Sequence, residues 1–155
     1  MYAGGGTRSQ FVHESLQRKE YEPGICRNDL ELALSGMDVF SFGITKGAEC
    51  VSELIGHFNL ETDENTLYSF HQANLMLNEN IRRKLRLTPE QCPYCLRDFG
   101  NTSSASIPLT LVTQCRDRLR REDVEHIACG FGVGASWGAA HFRTNKIVIP
   151  ELLEV

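Results

Sequence analysis

The stretch Phe99-Gly100-Asn101-Thr102-Ser103-Ser104-Ala105-Ser106-Ile107-Pro108 constrains the chain more than any other. Cys92-Pro93-Tyr94-Cys95-Leu96-Arg97 ahead of it is a short apolar run that reads as a strand. Behind it, Leu109, Val112, Cys115 and Leu119 recur at helical spacing, predicting a helix from Ser103 to about Leu119. The stretch then becomes a strand-to-helix turn: Gly100 permits a tight backbone, and Ser103 or Ser104 can cap the helix. Such a turn lifts Asn101 above the carboxyl ends of the strands, where open α/β sheets hold ligands. The simpler reading is that Asn101 only bonds its own backbone in an Asx-turn.

Two more stretches share this character. Thr66 to Phe70 reads as a buried strand that delivers His71 at its tip, followed by Gln72-Ala73-Asn74 and a helix capped by Asn74 and packed through Leu77, Ile81 and Leu85. Cys129-Gly130-Phe131-Gly132-Val133-Gly134-Ala135-Ser136-Trp137-Gly138 is a glycine-dense turn between strands Val124 to Cys129 and Ala139 to Arg143. Upstream, Phe40, Ile44, Ala48, Val51, Leu54, Ile55 and Phe58 follow a helical period, with Asp38 or Ser35 as N-cap. The order α, β, α, β, α, β, β defines an α/β chain with a mixed sheet and helices on its faces.

His-Gln-Ala-Asn, then Gly-Asn-Thr-Ser-Ser-Ala-Ser-Ile-Pro, then a glycine loop ending in Trp-Gly resembles, in this order and spacing, β-ketoacyl-acyl carrier protein synthase III, a family of thiolase-fold condensing enzymes. The resemblance runs from about Met1 to Arg143 and covers the family's C-terminal half, with the first, central strand of that half missing. It implies a connecting segment over 1–36, a thiolase-like domain over 37–143 and a tail over 144–155, where Lys146 to Ile149 is a candidate edge strand. It also implies decarboxylative condensation of an acyl thioester with malonyl-acyl carrier protein, in fatty acid or related acyl biosynthesis. His71 and Asn101 would be the catalytic pair, and Gly132, Val133 and Gly134 would supply backbone oxyanion donors. Asn74 would lie on the substrate channel, and Arg83 and Lys84 would dock the carrier protein. No cofactor or metal is implied, since the substrates are CoA and carrier-protein thioesters. The expected partners are acyl carrier protein, acyl-CoA and the N-terminal half of the same enzyme, in a homodimer. The family's nucleophile is a cysteine of that N-terminal half, so this chain alone is expected to be inactive. The other reading is a non-catalytic thiolase-fold partner subunit or binding module.

The chemistry of the residues fits the resemblance. Losing CO₂ from a malonyl thioester leaves an enolate whose charge gathers on the thioester oxygen. A neutral imidazole and a carboxamide both offer N–H donors there, and the amide cannot titrate. The basic cluster Arg82, Arg83, Lys84 and Arg86 reads either as a solvated face or as a docking patch for an acidic partner. Within the family an arginine stands where this chain has Met76, so the usual docking contact is altered.

Several features exclude other classes. A net charge of −4 and a pI near 5.7 lack the basic face of a nucleic-acid protein. No apolar run reaches the roughly 20 residues of a membrane span, and Met1 to Gly6 lacks the pattern of a signal peptide. Cytoplasm is the expected compartment, and the six cysteines are expected to be reduced. Cys92-Pro93-Tyr94-Cys95 matches a glutaredoxin-type redox motif, but the helix such a motif needs is expected only after Ser103. Gly4-Gly5-Gly6-Thr7 lacks the Lys that completes a phosphate loop.

Overall fold

The computed structural model describes residues 13–31, 36–132 and 135–153. Its centre is a three-stranded mixed sheet in the order β3-β4-β5. Strand β3 (Leu67–Phe70) runs parallel to β4 (Asp123–Gly132), with Leu67 opposite His126 and Phe70 opposite Cys129. Strand β5 (Ser136–Asn145) returns antiparallel to β4, from the Gly132–Ser136 pair to the Asp123–Asn145 pair. All four residues of β3 are buried, as expected of a strand covered on both faces. Among the described residues no strand lies between β3 and β4, which bond directly.

Alternation along β3 and β4 sorts the core into two clusters. Tyr68, Phe70, Ile127, Cys129 and Phe131 join Ala48 and Val51 of helix α1 (Gly36–Phe58) and Leu77 and Ile81 of helix α2 (Leu75–Lys84). Leu67 and Val124, on the opposite face, join Cys115, Leu119 and Ile149. The approach of α2 to α1 depends on glycine. A Cβ at Gly43 would stand 2.7 Å from Leu77 Cδ1, and one at Gly47 would stand 2.9 Å from Ile81 Cδ1 and 3.3 Å from the Phe131 ring. The helix predicted over this region is present. Its buried line, however, is Gly43, Gly47, Ala48 and Val51, while Phe58 is 62% exposed. The helix begins at Gly36, so Asp38 lies inside its first turn; Ser35 lies outside the described residues.

Four expectations are corrected. The segment Cys92 to Arg97 is not a strand: it is a turn leading into the one-turn helix α3 (Leu96–Phe99). The order along the domain is therefore α, β, four helices, β, β. The Ser103–Leu119 helix is a 3₁₀ turn (Ser103–Ala105) followed by α4 (Ser106–Gln114) and α5 (Arg116–Arg121), separated at Cys115. Neither Ser103 nor Ser104 caps it. Lys146 to Ile149 is not a strand either. Ile147 N–H bonds the Leu119 carbonyl at 3.0 Å, and Ile149 is buried beside Leu119, because an apolar side chain in the second cluster outweighs pairing at the sheet edge. Finally, the segment up to residue 36, expected to be irregular, contains a hairpin: β1 (Lys19–Glu22) and β2 (Ile25–Arg27) around the predicted Pro23-Gly24 turn. Gly24 has φ +79°, which favours glycine at this corner.

The two sheet edges differ. On the β3 side, the Tyr68 N–H is bonded by the Gln91 carbonyl at 2.7 Å. On the other side β5 is the last strand, ten residues long, and no strand among the described residues pairs with its outer edge.

Candidate active site

His71 follows β3 directly and prolongs its ladder, its N–H bonded to the Cys129 carbonyl at 2.8 Å. Its own carbonyl accepts from Asn78 Nδ2 of α2 at 3.0 Å. Backbone bonds to two elements thus fix the residue before its ring is considered. The ring stands edge-on to Phe131, with centroids 5.3 Å apart. Its Nδ1 lies 3.2 Å from the Ser103 carbonyl and 3.0 Å from Ser106 Oγ. Burial lowers the imidazole pKa below its ordinary value, so the ring is neutral at pH 7.

Asn101 reaches this place by a route other than the predicted one. It does not follow a strand; it stands between α3 and the Ser103–Ala105 turn. Gly100 makes the entry possible with φ +63° and ψ −150°, a region open to glycine alone. The exposed Asn101 side chain forms the Asx-turn: its Oδ1 accepts from the Ser103 N–H at 2.9 Å. That bond identifies the amide oxygen, so Nδ2 is the group left to donate elsewhere. Ser103 itself sits at φ +54°. His71 and Asn101 therefore both reach the same residue, one at its carbonyl and the other at its amide.

Two residues that sequence reasoning did not single out organise the site. Ser106 Oγ donates to the Ser103 carbonyl at 2.6 Å and accepts from the Gln72 N–H at 3.2 Å. The buried Gln72 side chain accepts from the Cys95 N–H at 3.0 Å and donates to Thr110 Oγ1. Gln72 thereby ties the strand exit to both the Cys95 turn and α4. The signal available in the sequence was a glutamine next to His71, and a last serine at the start of a long apolar helix.

The remaining predicted residues divide. Asn74 caps α2 as expected, accepting from the Leu77 N–H at 2.9 Å, and is exposed. Gly132 ends β4, exposed and opposite Ser136. Val133 and Gly134 lie outside the described residues. Arg83 and Lys84 are exposed in the last turn of α2, where the dipole favours cations. Arg82 leaves the predicted outer face: it donates to both Glu79 carboxylate oxygens at 2.8 Å and to the Leu87 carbonyl. Its guanidinium holds the Glu79 carboxyl down at about 2.

The Cys-Pro-Tyr-Cys motif has the wrong environment for redox work. A helix does begin after Cys95, closer than expected, but it is a single turn. Cys92 and Cys95 are both buried, and burial pushes the Cys92 thiol up to about 12. A redox pair needs the opposite shift. Among the described residues, no group of three or more His, Cys, Asp or Glu is arranged to hold a metal. No helix among them is long and apolar enough to cross a membrane.

Residues 56–144 match the family model described as 3-Oxoacyl-[acyl-carrier-protein (ACP)] synthase III C terminal. The beta-ketoacyl-[acyl-carrier-protein] synthase III of Trichodesmium erythraeum is 35% identical over 114 residues, or 74% of this chain and 35% of that protein. That of Staphylococcus aureus is 29% identical over 116 residues, or 75% of this chain and 37% of that protein. The crystal structure of 3-oxoacyl-(acyl-carrier protein) synthase from Burkholderia xenovorans superposes with a TM-score of 0.74 at 32% identity, covering 81% of this chain and 36% of that one. The chain thus spans little more than a third of the length of the curated relatives it matches. On these grounds it belongs to the 3-oxoacyl-[acyl-carrier-protein] synthase III family of thiolase-fold condensing enzymes and corresponds to the C-terminal domain of that family.

Proposed function

We propose that this domain carries the decarboxylation half of a decarboxylative condensation, joining an acyl thioester to malonyl-acyl carrier protein in fatty acid or related acyl biosynthesis in the cytoplasm. The observation that carries the proposal is the meeting of His71 and Asn101 on the Ser103 turn. As the malonyl C–C bond breaks, CO₂ leaves and the electron pair moves into an enolate. Its charge falls on the thioester oxygen, near Asn101 Nδ2 and the His71 ring. The enolate carbon then attacks the acyl thioester carbonyl and a thiolate departs. Backbone N–H groups around Gly132, Val133 and Gly134 would hold that oxyanion, and Asn74 would border the pantetheine path. The exposed pair Arg83 and Lys84 would meet the acidic carrier protein, and Met76, 66% exposed, would add an apolar contact where the family resemblance implies an arginine.

The acylated cysteine would come from an N-terminal half, within a homodimer. Five of the six cysteines suit no such role: burial pushes the Cys115 thiol to about 11 and the Cys92 and Cys129 thiols to about 12, it raises that of Cys50, and Cys95 is fully buried; the sixth, Cys26, is exposed on the β1–β2 hairpin. CoA and carrier-protein thioesters enter as substrates, and no cofactor is required.

The test reconstitutes this chain with an N-terminal half and follows malonyl decarboxylation separately from acyl transfer. Alone, the chain should take up no acyl label. In the pair, His71→Ala and Asn101→Ala should each slow decarboxylation about 10²- to 10³-fold, the loss expected for one preorganised donor, and spare acylation more. Unchanged decarboxylation in both variants overturns the proposal.

A further inference from the structure

We propose that Asn78 is a positioning residue for His71: its buried carboxamide fixes the peptide unit that follows the histidine, and with it the direction of the ring. The consequence for catalysis rests on the function proposed above; the clamp rests on burial and hydrogen bonding alone.

Helix α2 turns Leu77, Asn78 and Ile81 into the core. Leu77 and Ile81 pack in the first apolar cluster, with Phe70 and Phe131. Asn78, at 0% exposure, is as deeply buried but polar. A carboxamide offers an accepting oxygen and a donating nitrogen, and burial leaves each in need of a partner. The nitrogen has one: Nδ2 donates to the His71 carbonyl at 3.0 Å. Because a carbonyl only accepts, this bond also settles which end of the amide is which. Among the described residues nothing bonds Oδ1, an atom shut off from solvent. Such an unpaired acceptor costs the fold more than one net hydrogen bond returns. An apolar side chain would fill this place without that cost. What Asn78 alone supplies is the N–H aimed at His71.

His71 is where the chain leaves the β3 ladder. Its N–H still reaches the Cys129 carbonyl of β4 at 2.8 Å, so the sheet holds the peptide plane before it. Side chains from two helices hold the plane after it. The carbonyl of that plane accepts from Asn78 of α2 at 3.0 Å, and its N–H, that of Gln72, donates to Ser106 Oγ of α4 at 3.2 Å. With both planes fastened, φ and ψ of His71 are fixed, and only the side-chain torsions remain to aim the ring. Preorganised donors act where they already stand at the right distance when charge develops. Asn78 therefore serves the reaction through the backbone of His71 and, being fully buried, does so without touching the substrate.

The test begins with the 155-residue chain alone, by amide hydrogen exchange resolved residue by residue in wild type and Asn78→Leu. The reference is the Tyr68 N–H, bonded to the Gln91 carbonyl in the same strand. Relative to it, exchange at His71 and Gln72 should quicken about 2- to 10-fold, the worth of one net hydrogen bond. A merely structural role would speed all three alike, and an unchanged ratio overturns the inference. Should Asn78→Leu fail to fold, Asn78→Met takes its place, its flexible thioether adapting to the space. In the reconstituted pair, the same variant should lower kcat for malonyl decarboxylation by about the same 2- to 10-fold factor, leave KM unchanged and have no effect in a His71→Ala background. An equal loss in both backgrounds overturns the inference. If His71→Ala leaves decarboxylation intact, the proposed function fails, and the exchange ratio alone decides on the clamp.

Discussion

His71 and Asn101 are bound to opposite ends of one residue: the imidazole Nδ1 lies 3.2 Å from the Ser103 carbonyl, and the carboxamide Oδ1 accepts the Ser103 N–H at 2.9 Å. Ser103 takes the left-handed backbone this requires, with φ +54°. Displacing either side chain therefore releases part of the turn that orients the other, and the two should behave as a unit when mutated.

Asn101 is asked for two things that can be separated. Its Oδ1 holds the turn and its Nδ2 is the free donor. Asn101→Asp keeps an oxygen for the Ser103 N–H and removes the donor. Its unfolding midpoint in urea should stay near wild type, while decarboxylation in the reconstituted pair falls about 10²-fold or more. Asn101→Ala should lose both. Wild-type decarboxylation in Asn101→Asp would remove Nδ2 from the chemistry.

Glycines of α1 should divide by environment. Gly47→Ala forces a methyl to 2.9 Å from Ile81 Cδ1 and 3.3 Å from the Phe131 ring, and overpacking of this kind costs about 1–3 kcal/mol. Gly56→Ala meets nothing within 4 Å and should stabilise the helix by about 0.5–1 kcal/mol. Urea unfolding of the two variants should move in opposite directions.

Thiol reactivity should follow burial. Cys26 is exposed, while Cys92, Cys95, Cys115 and Cys129 are buried. Timed iodoacetamide labelling read by mass spectrometry should modify Cys26 first, and the four buried thiols at the rate of opening. Fast labelling of Cys92, or a thiol-exchange activity lost in Cys92→Ser, would restore a redox role for its motif.

His126 should make stability depend on pH. It is 1% exposed, stacked on Phe142 at 4.6 Å, with its Nδ1 lacking a hydrogen-bond partner. Burial, with Arg118 nearby, lowers its pKa from 6.5 to about 4. Between those values the unfolded chain binds the proton and the folded chain does not. Stability therefore falls as pH drops through this window, by roughly 2–3 kcal/mol from this group. His71, shifted the same way by burial, adds the same sign. Unfolding in urea at pH 7 and pH 4.5 should show the loss, reduced in His126→Leu.

Elements with a strong period or an apolar run were legible in the sequence. Helix α1 and strand β3 announced themselves this way; the β4–β5 hairpin did so in part, since Gly130 to Gly132 and Ser136 to Gly138, read as turn from their glycines, prolong the two strands. The segment from Cys92 to Arg97 did not, because a short apolar run is equally a buried turn, and here the Cys95 N–H is claimed by Gln72 rather than by a neighbouring strand. The core line of α1 was misjudged for a related reason: Gly43 and Gly47 carry no apolar signal, yet they are where Leu77, Ile81 and Phe131 press closest. At the site, His71 and Asn101 stood out by residue type. Ser106 did not, since its importance lies in a contact across 35 residues of sequence that only folding creates.

The two borders of the sheet give the domain a polarity of growth. On the β3 side the Gln91 carbonyl already occupies the Tyr68 N–H. The opposite border offers the ten residues of β5, where Gly138, Ala139 and Ala140 form a central run without a charge. Such a border is a template for an incoming strand. The longest unpaired border of this sheet is therefore β5, and in a concentrated preparation that side should set how long the isolated domain stays dispersed.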